Sequence, residues 1–242
     1  MENNLPKHIA IILDGNGRWA SRKMLPRFRG HLEGVKRVEE ISEIARRMGI
    51  KVLTLFVFST ENWRRPSQEV SMLMATLDSV LQRKTEKLMK TGIRLHFIGR
   101  RDGIPIEVMQ SLEKAMELTK HNTGMTLNLA LNYGSRLEIL DATKLLATAV
   151  KRGDLDIDQI NEQKFSDVLY TKGLPDPDLL VRTSGEKRIS NFLLWQLSYA
   201  EFYFTDVCWP DFNETEFLKA ITEYQQRDRR YGQVSPSSSD ER

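Results

Sequence analysis

The stretch His8-Ile-Ala-Ile-Ile-Leu-Asp-Gly-Asn-Gly-Arg-Trp-Ala20 decides the fold, because an apolar run ends there in a cluster of polar residues and glycines. Residues 9–13 are short, β-branched and bounded by turn residues, which is typical of a strand in a parallel sheet. The glycines at 15 and 17 let backbone N–H groups approach an anion, and Arg18 can place its guanidinium on the anion's oxygens. This corner therefore predicts phosphate binding.

Asp14 indicates that the predicted phosphate site also binds a metal ion. A carboxylate repels a phosphate unless a divalent cation lies between them, so the sequence predicts Mg²⁺ at Asp14. An aspartate-nucleophile phosphatase would need a second carboxylate two residues earlier, where Ile12 stands. An ordinary strand-to-helix turn remains open for this loop when it is taken alone.

A dinucleotide site is another interpretation of the same loop. Gly15-x-Gly17-x-x-Ala20 satisfies the loose fingerprint, which expects an acidic residue about 20 positions further on, at the end of the second strand. Here the second predicted strand ends near Ser59, which is too far along the chain. The bulky Arg18 and Trp19 also suit a close pyrophosphate approach poorly.

Length and composition bound the class of protein. The 242 residues are enough for one α/β domain with a large core. The formal net charge is only +3, so no overall field indicates nucleic acid, and we expect no nucleic-acid partner. Cys208 is the single cysteine, which excludes an intramolecular disulfide and favours the cytoplasm. With no signal peptide and no run of 18 apolar residues, we expect a soluble protein that can still associate peripherally with the inner face of the membrane.

Strand-like and helix-like segments alternate along the chain, which predicts a central, mostly parallel six-stranded sheet with helices on both faces of a single domain. After the first strand at 9–13, strands are predicted at 51–58, 93–98, 125–131, 178–182 and 202–208. Helices are predicted at 33–48, 67–91, 104–121, 135–152, 161–169 and 213–230. We expect the domain to span residues 1–232 and residues 233–242 to form a disordered polar tail.

Polar clusters follow nearly every predicted strand, at the edge of a parallel sheet where ligands collect. They are 14–18, 59–65, 99–101, 132–136 and 182–190, and Glu201 precedes the sixth strand. Arginine dominates these loops, as expected where planar, bidentate contact with phosphate oxygens matters. One arginine group near the first two strands and another after the fifth indicate two anionic ligands side by side.

Six long motifs carry a resemblance to a known family. They are His8–Ala20 as quoted above, Gly30-His-Leu-Glu-Gly34, Phe58-Ser-Thr-Glu-Asn-Trp-Arg-Arg-Pro66, Asn132-Tyr-Gly134, Asp176-Pro-Asp-Leu-Leu-Val-Arg-Thr-Ser-Gly-Glu186 and Ser190-Asn-Phe-Leu-Leu-Trp-Gln196. In this order, from about residue 7 to Gly232, the chain closely resembles the cis-prenyltransferases, specifically the bacterial undecaprenyl diphosphate synthases. Ser135, where many members have a second glycine, and the extra charge of Arg64 are departures.

The resemblance implies a magnesium-dependent condensation of isopentenyl diphosphate with an allylic diphosphate such as farnesyl diphosphate. Each round makes a cis double bond, and the product is a lipid-carrier precursor for cell-wall polysaccharide synthesis. Asp14 and Asn62 would be catalytic, and Asp14 and Glu201 would bind the metal. The implied substrate-binding residues are Gly15, Asn16, Gly17, Arg18, Trp19, Arg27, His31, Ser59, Thr60, Glu61, Trp63, Arg65, Arg182, Arg188, Ile189, Ser190 and Arg230.

The family resemblance also implies a homodimer in which Arg230-Tyr-Gly232 reaches the neighbouring active site and residues 202–209 supply apolar interface. An ordinary helix end with basic residues is the local alternative. The apolar stripe along 67–91 fits a product tunnel and core packing equally well. His31 is expected in a glycine-flanked turn as a ligand, and His96 in a strand as a structural residue. Besides an enzyme of this family, a non-catalytic partner subunit and a dinucleotide-dependent enzyme remain as alternatives.

Overall fold

Short aliphatic and β-branched runs form the six strands of one sheet in a computed structural model that describes residues 4–227. The strands are β1 His8–Ile12, β2 Val52–Ser59, β3 Ile93–Ile98, β4 Met125–Tyr133, β5 Leu179–Arg182 and β6 Glu201–Phe204. Their order is β3-β4-β2-β1-β5-β6, and each neighbouring pair is parallel. The predicted six-stranded sheet is confirmed, and its pairing is wholly parallel.

Seven α-helices connect or flank the strands within the described residues. They are α1 Asn16–Arg22, α2 Arg27–Met48, α3 Ser67–Thr91, α4 Ile106–Thr119, α5 Ser135–Arg152, α6 Glu162–Ser166 and α7 Glu214–Gln225. Three short 3₁₀ turns lie at Thr60–Arg64, Ile157–Gln159 and Trp209–Asp211. Among these helices, none is both long enough and apolar enough to cross a bilayer.

The helix predictions were wrong near the N-terminus. The helix predicted from residue 33 begins at Arg27, directly after Pro26, and α1 was not predicted at all. Neither α1 nor the start of α2 was predicted, because Gly17, Gly30 and Gly34 interrupt the apolar periodicity that indicates a helix. Their role is steric: a Cβ on Gly30 would lie 1.9 Å from the backbone oxygen of Asn16. The close crossing of α1 and α2 requires glycine there.

Apolar side chains cover both faces of the sheet. On one face α2, α3, α4 and α7 bury residues such as Ile41, Met74 and Phe217 against the strands. On the other face, Phe192 and Leu193, from the long connection between β5 and β6, join the second core cluster. That connection is thereby held against the sheet over part of its length.

The strand order places a ligand crevice between β1 and β5. The chain leaves β1 toward β2 on one side and returns much later to β5 on the other side. In parallel sheets, a crevice opens outside the carboxyl ends of strands at such a reversal, and ligands bind there. Asp14 follows β1 and Arg182 ends β5, so both lie at this crevice.

Candidate active site

Asp14 is held in place from several directions. Its backbone oxygen accepts hydrogen bonds from the Thr183 hydroxyl at 2.7 Å and from the Trp209 N–H at 2.9 Å. Its carboxylate oxygen Oδ1 accepts the Gly15 N–H at 2.7 Å, and Oδ2 lies 3.0 Å from Arg182 Nη2. Gly15 has φ +101°, and a Cβ on it would lie 2.7 Å from Ser184 Oγ, so the turn requires glycine. The carboxylate is therefore presented to the crevice by a rigid loop.

Arg182, Arg188 and Ser190 form one cationic site, which we name the inner cradle. Arg182 is only 3% exposed, and its Nη1 donates to the Arg188 carbonyl and, at 2.8 Å, to Ser190 Oγ. Its Nε is buried without a hydrogen-bond partner in the structure. Arg188 itself is exposed and ion-paired with Glu186. A buried arginine with unused hydrogen-bonding capacity beside an exposed arginine suits an incoming anion.

Residues 183–193, which we name the inner-cradle loop, carry an unusual backbone. Ser184, Ser190, Asn191 and Leu193 all have positive φ, at 77°, 49°, 62° and 49°. Such angles are uncommon for residues other than glycine and concentrate at functional sites. The hydrogen bonds to Arg182 and the burial of Phe192 and Leu193 hold this loop in place.

Arg27, His31 and Arg65 form a second cationic site, the outer cradle, around the carboxylate of Glu69. Glu69 Oε1 lies 3.2 Å from Arg27 Nε, 3.2 Å from Arg65 Nη1 and 3.7 Å from His31 Nε2. His31 lies within α2 and not in the predicted glycine-flanked turn, because α2 begins before it. Burial lowers the pKa of His31 below its ordinary 6.5, although Glu69 opposes the shift, so His31 is neutral at pH 7.

Residues 59–64 connect β2 to Arg65 of the outer cradle and contact the inner-cradle loop. Asn62 Oδ1 accepts the Ser59 N–H at 3.1 Å, which closes the turn, and Asn62 lines the crevice. Glu61 accepts a hydrogen bond at 2.9 Å from Asn191 of the inner-cradle loop. Burial works against ionisation of Glu61, but hydrogen bonds from Asn191 and its own turn outweigh it and lower the pKa. As a carboxylate, Glu61 therefore connects the inner-cradle loop to the segment that leads to Arg65 of the outer cradle.

An apolar cavity of about 600 Å³ leads away from the cradles between the sheet, α2 and α3. Near the crevice it is lined by Asp14, Asn16, Arg18 and Ser59, and deeper by Leu77, Leu88, Leu129 and Ile93. At 3.3 Å per residue, the register from Ser59 to the level of Ile93 spans roughly 25 Å. The apolar stripe on α3 packs the core and also borders the cavity, since Met74 and Leu81 are buried core residues that line it. One end of the site is therefore lined by cationic and polar side chains, and the remainder is lined by apolar ones.

Comparison with known proteins identifies the family to which this chain belongs. A model of the prenyltransferase family described as undecaprenyl diphosphate synthase matches residues 12–232. The chain belongs to the undecaprenyl diphosphate synthase family. It is 50% identical to an isoprenyl transferase of Bacillus subtilis (strain 168), with 97% of this chain and 90% of that protein covered. It is 54% identical to the ditrans,polycis-undecaprenyl-diphosphate synthase ((2E,6E)-farnesyl-diphosphate specific) of Pasteurella multocida (strain Pm70), with 95% of this chain and 96% of that protein covered.

Solved structures of the family have the same fold. Lavandulyl diphosphate synthase from Lavandula x intermedia, crystallised with dimethylallyl diphosphate, superposes with a TM-score of 0.92 at 37% identity and covers 94% of this chain and 98% of its own. A Campylobacter jejuni protein described as a probable undecaprenyl diphosphate synthase gives a TM-score of 0.78 at 36% identity, with 95% and 99% covered. The predicted family and fold are confirmed.

Several of the residues predicted from the family resemblance meet at the crevice, but not all do. Those that line the cavity are Asp14, Gly15, Asn16, Gly17, Arg18, Arg27, His31, Ser59, Asn62, Arg65, Arg182 and Ser190. Thr60, Glu61, Trp63, Arg188 and Ile189 lie in the two loops beside them. Trp19 instead points into the protein, where it is 9% exposed and its indole N–H donates to Asp211 at 2.7 Å.

Glu201 lies at the opposite edge of the sheet from Asp14 within one chain. It pairs in register with Leu179 at the start of β5, whereas Arg182 at the end of β5 faces the crevice. Its carboxylate is ion-paired with Arg227 at 2.8 Å. The chain therefore does not bring Glu201 and Asp14 together by itself. Arg230 and the predicted tail lie outside the described residues.

The arginines after β3 do not join the site, contrary to the prediction from the strand ends. β3 is an edge strand, and β4 and β2 separate it from β1. Arg100 is held by Asp141 at 2.6 Å and Arg101 by Glu113, beside a separate shallow depression. Both arginines therefore form local ion pairs away from the site.

Three carboxyl or amide residues of the site were missed by sequence reasoning. Glu69 is four residues after Arg65 on α3, an ion-pair spacing that was available as a signal. Asn191 lies inside a quoted motif, but its contact with Glu61 is visible only in three dimensions. Glu138 is buried beneath the inner-cradle loop, accepts hydrogen bonds from Tyr133 and from Gln196 at 3.2 Å, and has a pKa raised by burial. A lone glutamate at the start of a helix gave no sign of this.

Proposed function

We propose that the protein is a magnesium-dependent cis-prenyltransferase that condenses isopentenyl diphosphate with an allylic diphosphate such as farnesyl diphosphate. The observation that carries the proposal is that two cationic cradles and Asp14 line one apolar cavity, with Asp14 paired to Arg182 of the inner cradle and to Arg18. Two anionic groups and one long apolar chain are what such a condensation requires. The Pasteurella relative, named as farnesyl-diphosphate specific, supports this choice of primer.

The donor set at Asp14 fits Mg²⁺ that is shared with a substrate. Within residues 4–227, no group of three or more His, Cys, Asp and Glu side chains is arranged to hold a metal ion. Mg²⁺ commonly binds through one or two carboxylates together with substrate phosphates and water, so a single carboxylate beside two phosphate cradles is adequate. Asp14 would hold the ion, which would neutralise charge on the departing diphosphate.

The side chains divide the remaining work. The bond between the allylic C1 and its diphosphate oxygen breaks, a carbon–carbon bond forms to isopentenyl diphosphate, and one proton is lost. The outer cradle would bind the allylic diphosphate, with Arg18 and the backbone of residues 15–18, and would stabilise the negative charge that grows on it. The inner cradle would bind isopentenyl diphosphate. Asn62, between the two, would assist the loss of the proton.

The cavity supports a long product. A developing allylic cation would be quenched by water, and the leucine-lined walls of the deeper cavity would limit the access of water to it. As the chain lengthens, its apolar end would advance along α3 toward Leu88. We propose undecaprenyl diphosphate, a lipid-carrier precursor for cell-wall polysaccharides, as the product.

A homodimer completes the proposal. The family resemblance assigns Arg230 to the diphosphate of the neighbouring active site and residues 202–209 to the interface. Glu201 adjoins these residues and would serve metal binding only through such an assembly. Truncation after Asp228 should abolish most activity in a folded protein, whereas truncation after Gln233 should be nearly silent. An active monomer in sedimentation would contradict this role.

We also propose a cytoplasmic enzyme that associates peripherally with the membrane that receives its lipid product. One assay tests the reaction: incubation with labelled isopentenyl diphosphate and allylic primers of several lengths, followed by sizing of the products. Long products that depend on primer and Mg²⁺ are expected. No incorporation with any primer would favour the non-catalytic partner subunit, whose relatives would be expected to lack Asp14 and the arginine loops that this chain retains.

A further inference from the structure

An exposed apolar surface lies beside the outer cradle, on the turn between α1 and α2 and the first turns of α2. Residues 21–29 are all exposed, and Met24, Leu25, Phe28 and Leu32 are exposed to 94%, 40%, 37% and 41%. These are four of the twelve large exposed apolar side chains of the described residues, and they fall within nine positions. The other eight are spread over the rest of the chain. We name residues 21–32 the turn surface.

Met24 stands at the tip of this surface in a conformation that usually calls for glycine. Its φ is 53°, directly after the end of α1, and the Leu25 N–H closes the turn on the Ala20 carbonyl at 2.9 Å. Glycine is the common residue in such a left-handed helix end. A long apolar side chain at this position carries a conformational cost, and 94% exposure shows that packing within the chain does not offset it. The side chain therefore projects outward without an internal packing role.

The charge around the turn surface has one sign. Between Asp14 and Glu33 the sequence contains Arg18, Arg22, Lys23, Arg27 and Arg29 and no acidic residue. Lys23 Nζ lies 4.3 Å from the centre of the Trp19 ring, and Arg29 lies 5.7 Å from that of Phe28. Within residues 4–227, Arg22, Lys23 and Arg29 form no ion pair with a carboxylate. Arg22 Nη1 donates a hydrogen bond to Cys208 Sγ at 3.7 Å, and the charges of all three cations remain available to an external anionic surface.

We infer that the turn surface docks on an anionic lipid bilayer, with Met24, Leu25 and Phe28 entering the headgroup boundary and Arg22, Lys23 and Arg29 binding lipid phosphates. Apolar side chains flanked by unpaired cations are the combination by which proteins lie on anionic membranes. An apolar face of a protein partner would need complementary shape and, here, acidic residues; a bilayer needs neither specific shape nor register.

The turn surface lies next to residues that line the cavity. Arg27 and His31 line the cavity, and Phe28 and Leu32 follow each of them by one residue on α2. The docked face would therefore border the mouth of the site, where an allylic lipid enters and a longer one leaves. This use of the surface rests on the proposed function, but the docking itself is measured without turnover.

Vesicle binding of the full chain tests the inference. Co-sedimentation is measured with vesicles of phosphatidylcholine alone and with an equal mixture of phosphatidylcholine and phosphatidylglycerol. We expect binding to the anionic vesicles that weakens with salt. Met24→Glu should reduce it about tenfold or more, and Arg22→Gln, Lys23→Gln or Arg29→Gln should each reduce it roughly fivefold.

Matched variants on α4 control for a general loss of exposed apolar area or of positive charge. Ile106→Glu changes an apolar side chain that is 67% exposed at the start of α4, and Lys114→Gln removes an exposed cation from the same helix. Both should bind vesicles like the parent chain. In detergent, with a short soluble allylic diphosphate, Met24→Glu should keep parent turnover, because Met24 does not line the cavity.

The outcomes separate the hypotheses. Equal binding by parent and Met24→Glu, or equal reduction by the control variants, would overturn the docking surface while leaving turnover in detergent as a separate test of the proposed function. A change of oligomeric state on Met24→Glu, with no vesicle binding by the parent, would assign the surface to a second copy of the chain. Vesicle binding without turnover would support docking and contradict the enzyme.

Discussion

The two cradles differ in how their positive charge is held before a ligand arrives. In the inner cradle, Arg182 is 3% exposed and fixed by Asp14, Ser190 and a backbone carbonyl. In the outer cradle, the Arg27 and Arg65 side chains are 60% and 34% exposed and converge on one Glu69 oxygen. In the inner site the buried Arg182 is fixed in place and only the exposed Arg188 is paired with a separate carboxylate, Glu186. In the outer site both arginines converge on one carboxylate, where an anion would bind. Binding in the outer cradle must therefore overcome an internal competitor.

Removing Asp14 should have the largest effect, because Asp14 contacts Arg182 of the inner cradle, lines the same cavity as the outer cradle and is the proposed metal ligand. Asp14→Ala should lower kcat by the scale of a lost charge-stabilising group at a reacting centre, about 2.7–4 kcal/mol or roughly a hundred- to a thousandfold. Substrate binding should change less, since the arginines remain. Single-turnover rates and equilibrium binding of both diphosphates measure the two quantities. Near-normal kcat, or full activity of the parent chain in excess chelator, would contradict the metal role.

Removing one arginine from either cradle should give the next largest effect. Arg188→Ala should raise the KM for isopentenyl diphosphate roughly tenfold, and Arg27→Ala should raise that for the allylic substrate by a similar factor, through loss of one charge-assisted contact. Steady-state kinetics with each substrate varied in turn distinguishes them. If both variants raised both constants equally, the assignment of one ligand to each cradle would have to be abandoned.

Neutralising Glu69 should improve binding at the outer cradle only. Glu69→Gln removes the carboxylate that competes with the ligand, so the allylic KM should fall roughly two- to fivefold, the scale of a partly exposed ion pair. The KM for isopentenyl diphosphate should stay unchanged. Glu33→Gln is the control, because Glu33 pairs with Lys36 on the same helix as Arg27. A rise in the allylic KM would instead mean that Glu69 mainly positions the arginines.

The smallest effect is a pH dependence confined to the outer cradle. Because burial lowers the pKa of His31, the ring is neutral at pH 7 and gains its charge only as the pH falls through that lowered value. The added charge should tighten allylic binding in acid. Both substrates carry a diphosphate, so the ratio of the allylic KM to the other KM cancels titration of the ligand. This ratio should fall on acidification in the parent chain and stay level in His31→Asn.

Local sequence was sufficient for the strands and for much of the crevice. The predicted strands are rich in apolar residues, and β1 and β5, the two strands that flank the crevice, are buried along their whole length. A parallel sheet must place the carboxyl ends of its strands at one edge. Asp14, Ser59 and Arg182 were therefore found by position alone. The family resemblance, and not the local pattern, assigned substrates and the role of Arg230.

The misplaced helices have one physical cause. α1 and the start of α2 contain glycines that serve the close crossing of two helices, and a local pattern cannot distinguish such glycines from those of a turn. The arginines after β3 were misassigned because strand order along the sheet depends on long-range pairing. The family resemblance assigned Glu201 to the metal, and the register shows that within one chain it lies at the amino ends of the strands, away from Asp14.

The contact between Asp14 and Arg182 joins residues that are 168 positions apart. Contacts of such separation form late, since the cost of closing a long loop must be met before they contribute. A chain that has folded only as far as β4 would possess the outer cradle and most of the cavity wall without the buried arginine of β5. A ligand of the inner cradle would bind the fully closed sheet in preference to such intermediates, and isopentenyl diphosphate would raise the apparent stability of the native state by mass action.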